Sequence, residues 1–368
     1  MKALILAGGK GTRLRPITHT SAKQLVPVAN KPILFYAIET VAAAGIDEIG
    51  IIVGDTADEV REACGDGSQF GVNLTYIPQD EPLGLAHCVM IARDFLGDDD
   101  FVMYLGDNLL EEGLVGFVER FEEARRQAHS PSFQDDHAAP SAWILLAEVP
   151  DPHQFGVAEI GPDGTIARLV EKPAEARSNL AMVGACLFTP EIHEAVRAIK
   201  PSARHELEIT DAVQWLIDRG DTVRHDLLSG WWLDTGKKDS VLDANRRVLE
   251  MLTTRIDGTV DDASRIDGRV VIEAGATVTN STVRGPVSIG AGAQITNSYV
   301  GPFTSIGTDV IVLDSEVEAS LLLAGARLTG VPRLVDSLLG RDAEVFLSHQ
   351  TPRANRLLVG DHSTVELH

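Results

Sequence analysis

The chain has 368 residues, more than one compact core usually holds, so two domains are expected. Apolar residues make up 44% and charged residues 23%, the balance of a soluble globular protein. A formal net charge of −22 argues against a surface built for nucleic acid or an anionic membrane, but leaves room for a few local cations on a nucleotide's phosphates. Cys64, Cys88 and Cys186 match no metal or redox spacing and read as inert thiols of a reducing cytoplasm. The apolar run after Lys2 stops at Gly8, too short for a signal peptide or a membrane span.

A short strand, Ala3 to Leu6, leads into Ala7-Gly8-Gly9-Lys10-Gly11-Thr12-Arg13-Leu14. A strand feeding a glycine-rich turn brings backbone N–H groups close to phosphates, because glycine has no Cβ in the way. Pro32 is expected as the first residue of a helix running over Ile33 to Ala44 and stopping at Gly45. Strands are then expected over Glu48 to Val53, Leu74 to Ile77 and Phe101 to Leu105. Helices are expected between them, over Ala57 to Cys64 and Leu85 to Phe95. This alternation implies βαβ units and a mostly parallel sheet with covered faces. Residues 129–140 have no periodicity and two prolines, so they read as an exposed loop; His129 and His137 read as solvated rather than metal-bound.

Further strands are expected over Ala142 to Val149, Val157 to Ile160, Ile166 to Glu171, Met182 to Phe188, Val223 to Leu228 and Trp231 to Leu233. Gly161-Pro162-Asp163-Gly164 makes a hairpin turn, and helices fall at 190–198, 210–219 and 238–252. From about residue 258 the pattern changes. Ile272, Ile289, Ile306 and Leu323 are spaced by 17, as are Val278, Ile295 and Val312, and Val283, Val300 and Val317. Asn280-Ser281, Asn297-Ser298 and Asp314-Ser315 keep the same period, and aliphatic-Gly units recur less regularly at Leu339-Gly340 and Val359-Gly360. Coils of about 17 residues with three short faces suit a parallel β-helix, with a small insertion around Ser348 to Arg353. The domains are therefore drawn at 1–254 and 258–368.

The glycine loop is neither G-x-G-x-x-G nor a Walker loop, since Gly11 is followed by Thr12-Arg13. What points to a nucleoside triphosphate is its company, Arg13 and Lys23. Asp107 and Asp234 each follow a strand end, the edge where α/β sheets bind ligands. Two such carboxylates suit Mg²⁺ shared with phosphates, because Mg²⁺ takes few protein oxygens. Lys172, beside Glu171 and ahead of Pro173, pairs a cation with a carboxylate, as a sugar phosphate requires.

The amino-terminal two-thirds resembles the sugar-1-phosphate nucleotidylyltransferases, and within them the glucose-1-phosphate thymidylyltransferases. The resemblance rests on Gly8-Gly9-Lys10-Gly11-Thr12-Arg13-Leu14-x-Pro16-x-Thr18, Lys23-Gln24-Leu25-x-Pro27-Val28, Lys31-Pro32 and Gln79-Asp80-Glu81-Pro82-x-Gly84-Leu85-Ala86. It continues through Gly106-Asp107-Asn108, Phe155-Gly156-Val157, Glu171-Lys172-Pro173, Glu206-Leu207-Glu208-Ile209-Thr210-Asp211 and Trp232-Leu233-Asp234-Thr235-Gly236. The long form of that family is similar to this chain in carrying a carboxyl-terminal β-helix.

The resemblance implies an α/β fold, a Rossmann-like, mostly parallel mixed sheet of the GT-A-like nucleotidyltransferase kind, followed by a left-handed parallel β-helix of hexapeptide-like repeats. It implies transfer of a thymidylyl group from dTTP to glucose 1-phosphate with Mg²⁺, opening a deoxysugar pathway. Leu6, Ala7, Gly8, Gly9, Gly11, Thr12, Arg13, Gln24, Gln79, Pro82, Gly84 and Asp107 would surround the nucleotide. Within that set Gln24 and Gln79 would read the base. Leu85, Asn108, Gly156, Glu171, Lys172, Val183 and Arg204 would hold the sugar phosphate. Asp107 and Asp234 would bind the metal, and Arg13, Lys23, Asp107, Lys172 and Asp234 would carry catalysis. UTP is the alternative nucleotide, since uracil differs from thymine by one methyl. A sensor without catalysis would have lost these charges, and acyl transfer in the β-helix would have only His349 and His362 to draw on. A homo-oligomer through the β-helix is expected. The chain departs from the family in a longer 129–140 loop and in Lys237-Lys238 after Gly236.

Overall fold

A computed structural model describes residues 1–9, 11–19, 22–128, 139–236, 238–349 and 355–366. The loop expected at 129–140 falls almost wholly outside the described residues, as does most of the insertion expected around Ser348 to Arg353. The chain forms two compact units, each discontinuous in sequence: residues 1–10 with 34–234, and residues 11–33 with 235–368.

The first unit is built on a mixed sheet. Its strands run in the order Ile166–Glu171, Gly156–Ile160, Leu180–Phe188, Phe101–Leu105, Lys2–Leu6, Glu48–Val53 and Asn73–Pro78. Pro140–Glu148 joins it beside Leu180–Phe188 and carries Thr222–Leu227 on its other edge. The strands from Phe101–Leu105 to Asn73–Pro78 are parallel, while Leu180–Phe188 runs antiparallel to its neighbours. The central strand is buried throughout its apolar run, as a parallel strand covered on both faces must be. Its covers come from α1 (Ile33–Ala43), α2 (Ala57–Cys64), α3 (Leu85–Ile91), α4 (Arg93–Leu96), α5 (Val115–Ala128), α6 (Ile192–Ala198) and α7 (Ile209–Arg219).

Three local expectations are corrected. Pro32 does not open α1; Lys31–Pro32 pairs with Pro27–Val28, and Ile33 starts the helix after its N–H donates to the Val26 carbonyl. The helix expected over Leu85 to Phe95 is two helices, because the chain bends at Ala92 (φ −84°, ψ 4°). Helix α5 has no counterpart among the expected elements, although Phe117, Val118, Phe121 and Ala124 bury one face at helical spacing.

From Lys2–Leu6 the chain builds one way, to Glu48–Val53 and Asn73–Pro78, then returns to lay Phe101–Leu105 on the other side. This reversal opens a crevice at the carboxyl ends of Lys2–Leu6 and Phe101–Leu105, where ligands of such sheets bind. The Gly106 N–H donates to the Leu6 carbonyl (3.0 Å), so both strand ends reach that edge together.

The apolar core of this unit also buries His193 on α6, 4% exposed and stacked on Phe101. Among the described residues neither ring nitrogen has a hydrogen-bond partner, and burial, with Arg93 and Arg197 nearby, lowers its pKa to about 4. A neutral imidazole held below its unfolded pKa contributes stability above about pH 6.5 that is lost as pH falls towards 4. Urea unfolding at pH 7 and pH 5 should therefore show about 2 kcal/mol of acid destabilisation that His193→Leu removes. An equal pH slope in both proteins would exclude His193 as its source.

The second unit contains Gly11–Ile33, α8 (Lys238–Glu250) and a left-handed parallel β-helix. Three sheets form its faces, and every recorded pairing between its strands is parallel. The aliphatic residues of the repeat fill its axis. The recurrent Asx-Ser pairs make the corners. Asn280, Asn297 and Asp314 adopt left-handed φ values of 46°, 49° and 48°, which Asn and Asp tolerate better than other residues bearing a Cβ. The Ser281, Ser298 and Ser315 hydroxyls each donate to the carbonyl two residues back at 2.7 Å and accept an N–H from the next coil.

Past the first circuit, where Ile256 pairs with Ile272 and Val260 with Val278, the 17-residue period breaks at one further place. Ile306 pairs with Leu322, not with Leu323, because the corner after Val317 is one residue shorter. The residue is regained before Leu334, which again lies 17 after its partner Val317. Val359-Gly360 does not continue the coil: Val359 is exposed and outside any strand, and the last strand is Glu344–Phe346.

Candidate active site

In the first unit the crevice edge carries Gly8, Gln79, Asp107 and Asn108. A Cβ at Gly8 would lie 3.1 Å from the Gln79 Oε1. Gln79 in turn meets His87 Nδ1 at 3.1 Å and donates to Cys88 Sγ at 3.3 Å. Cys88 is buried and its thiol is pushed up to about 12 by that burial, so it is a protonated packing group. The other two thiols are buried and free as well.

Asp107 is 7% exposed and Asn108 is buried beside it. The strand Trp232–Asp234 pairs antiparallel with Asn108–Leu110, and Asp234 lies opposite Asn108. The two carboxylates expected to act together thus reach the same end of one ladder, Asp107 preceding Asn108 in the chain and Asp234 lying opposite it. Asn108 locks this arrangement: its Nδ2 donates to Asp107 Oδ1 (3.2 Å) and its Oδ1 accepts from Trp232 Nε1 (2.5 Å). The Tyr104 hydroxyl donates to its carbonyl (2.9 Å). Gly184, next to the buried Val183, has no side chain because a Cβ there would lie 2.7 Å from Asn108 Oδ1.

Of the residues expected at the sugar phosphate, Gly156, Glu171, Lys172 and Arg204 form a second cluster in the same unit. Glu171 Oε1 meets Arg204 at 3.2 Å and Lys172 at 3.6 Å, while its Oε2 accepts from Thr210 Oγ1 at 3.3 Å. Arg204 also binds the buried Glu208 at 2.8 Å. Burial raises the Glu171 carboxyl above its usual range; Lys172 and Arg204 oppose the rise and Glu208 adds to it. Lys172 itself has φ 40°, a left-handed conformation unusual for a residue with a long side chain, and its N–H donates to the Phe155 carbonyl (2.9 Å). Such strain at a charged residue is a common mark of a functional position. Gly156 stands where a Cβ would come 2.5 Å from Thr210 Cγ2 and 3.3 Å from Glu171 Oε2.

Gly84 has a structural reason of its own within this unit. Its φ is 104°, and a Cβ would lie 2.5 Å from the Leu207 carbonyl oxygen. The Leu207 N–H donates to the Leu83 carbonyl, and the Ala86 N–H donates to the Leu207 carbonyl. The 82–85 loop is thereby clamped to the Glu206–Glu208 segment, with Pro82 exposed and Leu85 opening α3.

In the second unit Gly11 (φ 60°) faces Lys23, whose Cβ would lie 2.8 Å from a Cβ at Gly11. Thr18 Oγ1 donates to the Gly11 carbonyl at 2.6 Å, which folds the loop back on itself. Thr12 and Arg13 are exposed. Gln24 is 1% exposed, and its Oε1 has no hydrogen-bond partner among the described residues. Lys10 lies outside the described residues.

Sequence reasoning did not single out Trp232, Glu208, Thr210 or His87 as partners. The motifs contain the first three, but nothing in their spacing shows which side chain each one orients. Among the described residues no three His, Cys, Asp or Glu side chains converge as a metal-holding group. The Asp107–Asp234 pair is what remains, and two carboxylates suit a metal that also takes phosphate oxygens.

A nucleotidyl transferase family model matches residues 2–251. A glucose-1-phosphate thymidylyltransferase from Streptomyces griseus is 57% identical over 100% of this chain and 99% of its own length. One from Streptomyces antibioticus is 55% identical with the same coverage. Among solved structures, a Bacillus anthracis protein assigned as a glucose-1-phosphate thymidylyltransferase, in complex with a sucrose, superposes with a TM-score of 0.59 at 37% identity. That superposition covers 67% of this chain and 94% of that one.

Proposed function

The chain belongs to the nucleotidyl transferase family, and on that premise we propose that it transfers the thymidylyl group of dTTP to glucose 1-phosphate, giving dTDP-glucose and pyrophosphate. The observation that carries this reading is full-length identity above one half with thymidylyltransferases, together with retention of every charged group the chemistry needs. The product would open a deoxysugar pathway.

The nucleophile is a phosphate oxygen of glucose 1-phosphate, already an anion at neutral pH, so no general base is required. It attacks the α-phosphorus, the bond to the bridging oxygen breaks, and pyrophosphate leaves with the electron pair. The work left to the protein is positioning and charge neutralisation. Arg13 and the glycine-loop N–H groups would hold the leaving phosphates, and Lys23 would face the α-phosphate. Lys172, fixed by its backbone conformation and flanked by Glu171, would hold the phosphate of the sugar. Enzymes of this family use a divalent metal; Asp107 and Asp234 would hold it, and we propose Mg²⁺. When bound, the ion would neutralise charge on the triphosphate. The buried Gln24 Oε1, without a hydrogen-bond partner among the described residues, is an acceptor suited to the imino N–H of thymine or uracil.

A panel of dTTP, UTP, ATP, GTP and CTP with glucose 1-phosphate and Mg²⁺, scored by pyrophosphate release, tests this. dTTP should be preferred, with UTP about 10–200-fold lower in kcat/KM for the one missing methyl, and purines inactive. Preference for a purine would overturn the base assignment. Among the described residues no helix is long and apolar enough to cross a membrane. A cytoplasmic homo-oligomer assembled through β-helix faces completes the reading, and sedimentation of the full chain as a monomer would contradict that last part.

A further inference from the structure

The β-helix face formed by Val270–Ile272, Val287–Ile289, Thr304–Ile306 and Leu321–Leu322 departs from ordinary strand alternation. The inward residues Ile272, Ile289 and Ile306 are in the core, as expected. The outward column, Val271, Ser288, Ser305 and Leu321, is buried too, with Ser288 2% and Ser305 0% exposed. Within this unit the Pro27–Val28/Lys31–Pro32 hairpin and α8 pack there.

The contact is specific. Asn245 on α8 is 1% exposed. Its Oδ1 accepts from the Ala29 N–H at 2.9 Å and from Ser305 Oγ at 2.7 Å, and its Nδ2 donates to the Phe303 carbonyl at 3.2 Å. At the hairpin tip, Asn30 Nδ2 donates to Ser288 Oγ at 3.0 Å and to the Ile306 carbonyl at 2.8 Å. Ala29 and Asn30 both adopt left-handed φ, 47° and 66°, as a tight two-residue hairpin requires. One residue, Val26, separates this hairpin from the Lys23–Leu25 turn. The tip is therefore pinned to two coils of the β-helix by hydrogen bonds, and the strand Pro27–Val28 that enters it follows directly on the turn that carries Lys23 and Gln24.

We propose that Asn245, with Ser305 and Asn30, is a positioning residue for the nucleotide: it makes the β-helix the platform on which Lys23 and Gln24 are aimed. The proposal rests on the reading of Lys23 and Gln24 as triphosphate and base contacts. It assigns the β-helix a part in nucleotide affinity, besides any part in assembly.

The test uses the full-length protein and measures dTTP affinity by calorimetry without the sugar phosphate, KM for each substrate, kcat and thermal stability. Asn245→Ala should raise Kd and KM for dTTP about tenfold, and Ser305→Ala severalfold, through loss of one or two buried hydrogen bonds. KM for glucose 1-phosphate should stay within about twofold, a split that general loosening of the fold would not produce. Ser305→Ala removes only a hydroxyl from the β-helix, so it keeps the test decisive if Asn245→Ala does not fold. Unchanged dTTP affinity in Ser305→Ala and Asn245→Ala, or equal losses for both substrates, would overturn the proposal. Lys23→Ala run in parallel separates the two levels. If it too leaves dTTP binding unchanged, the underlying site reading fails; if it weakens binding while the other two do not, only the platform role fails.

Discussion

Asp107→Asn should lower kcat for pyrophosphate release by about 10³-fold while leaving the fold intact. The amide has the shape of the carboxylate but not its charge. Shape matters here because the residue is 7% exposed and accepts a hydrogen bond from Asn108. Charge matters because the opposite rung of the ladder brings up Asp234, and a metal shared with phosphates needs both anions. Asp234→Asn should therefore fail in the same way, and the double variant should be little worse than either single one, since the two act as a unit. Restoring activity with raised Mg²⁺ would point to weakened metal binding. If Asp107→Asn releases pyrophosphate at the wild-type rate, the catalytic reading of Asp107 fails.

Gly84→Ala should destabilise the protein by about 2–4 kcal/mol and take much of the activity with it. The site offers a methyl group no way out. Its φ of 104° is strained for any residue with a Cβ, and the atoms in the way, the Leu207 carbonyl oxygen at 2.5 Å and N at 2.8 Å, are backbone. Those Leu207 groups are themselves bonded to Leu83 and Ala86, so moving them breaks the clamp between the 82–85 loop and Glu206–Glu208. Gly45→Ala is the control. It shares a positive φ, 79°, but has nothing within 4 Å of its Cβ position, so it should lose only about 1 kcal/mol of backbone strain. Equal urea midpoints for the two variants would remove the steric argument.

Legibility followed physical scale. The strands Glu48–Val53, Phe101–Leu105 and Ile166–Glu171 have the bounds their sequences imply, because each is an apolar or alternating run closed by turn residues. Helix α5 escaped because its exposed face is crowded with Glu and Arg and its core face is only four residues. The β-helix was readable because its corners repeat a chemistry, Asx in a left-handed turn followed by a serine that links coils. The phase was lost at Leu321-Leu322-Leu323, where three leucines in a row carry no alternation to say which one points inward. For the proposed site, position at a strand end is what singles out Asp107 and Asp234. Asn108's hold on Trp232, the clamp at Gly84 and the burial of Asn245 are meetings across 58 residues or more, and no local pattern encodes them.

The serine ladder of the β-helix also constrains how this protein can vary by descent. Each rung ties a hydroxyl to a peptide in the following coil, so a residue lost at one corner has to be made up at another if the later coils are to keep their register. The residue missing after Val317 and regained before Leu334 has the form of such a compensated pair. Insertions and deletions in this domain should therefore be inherited in compensating pairs within one circuit, or as whole coils, and a lone one-residue change should be found only beyond Phe346, where no further coil has to be met.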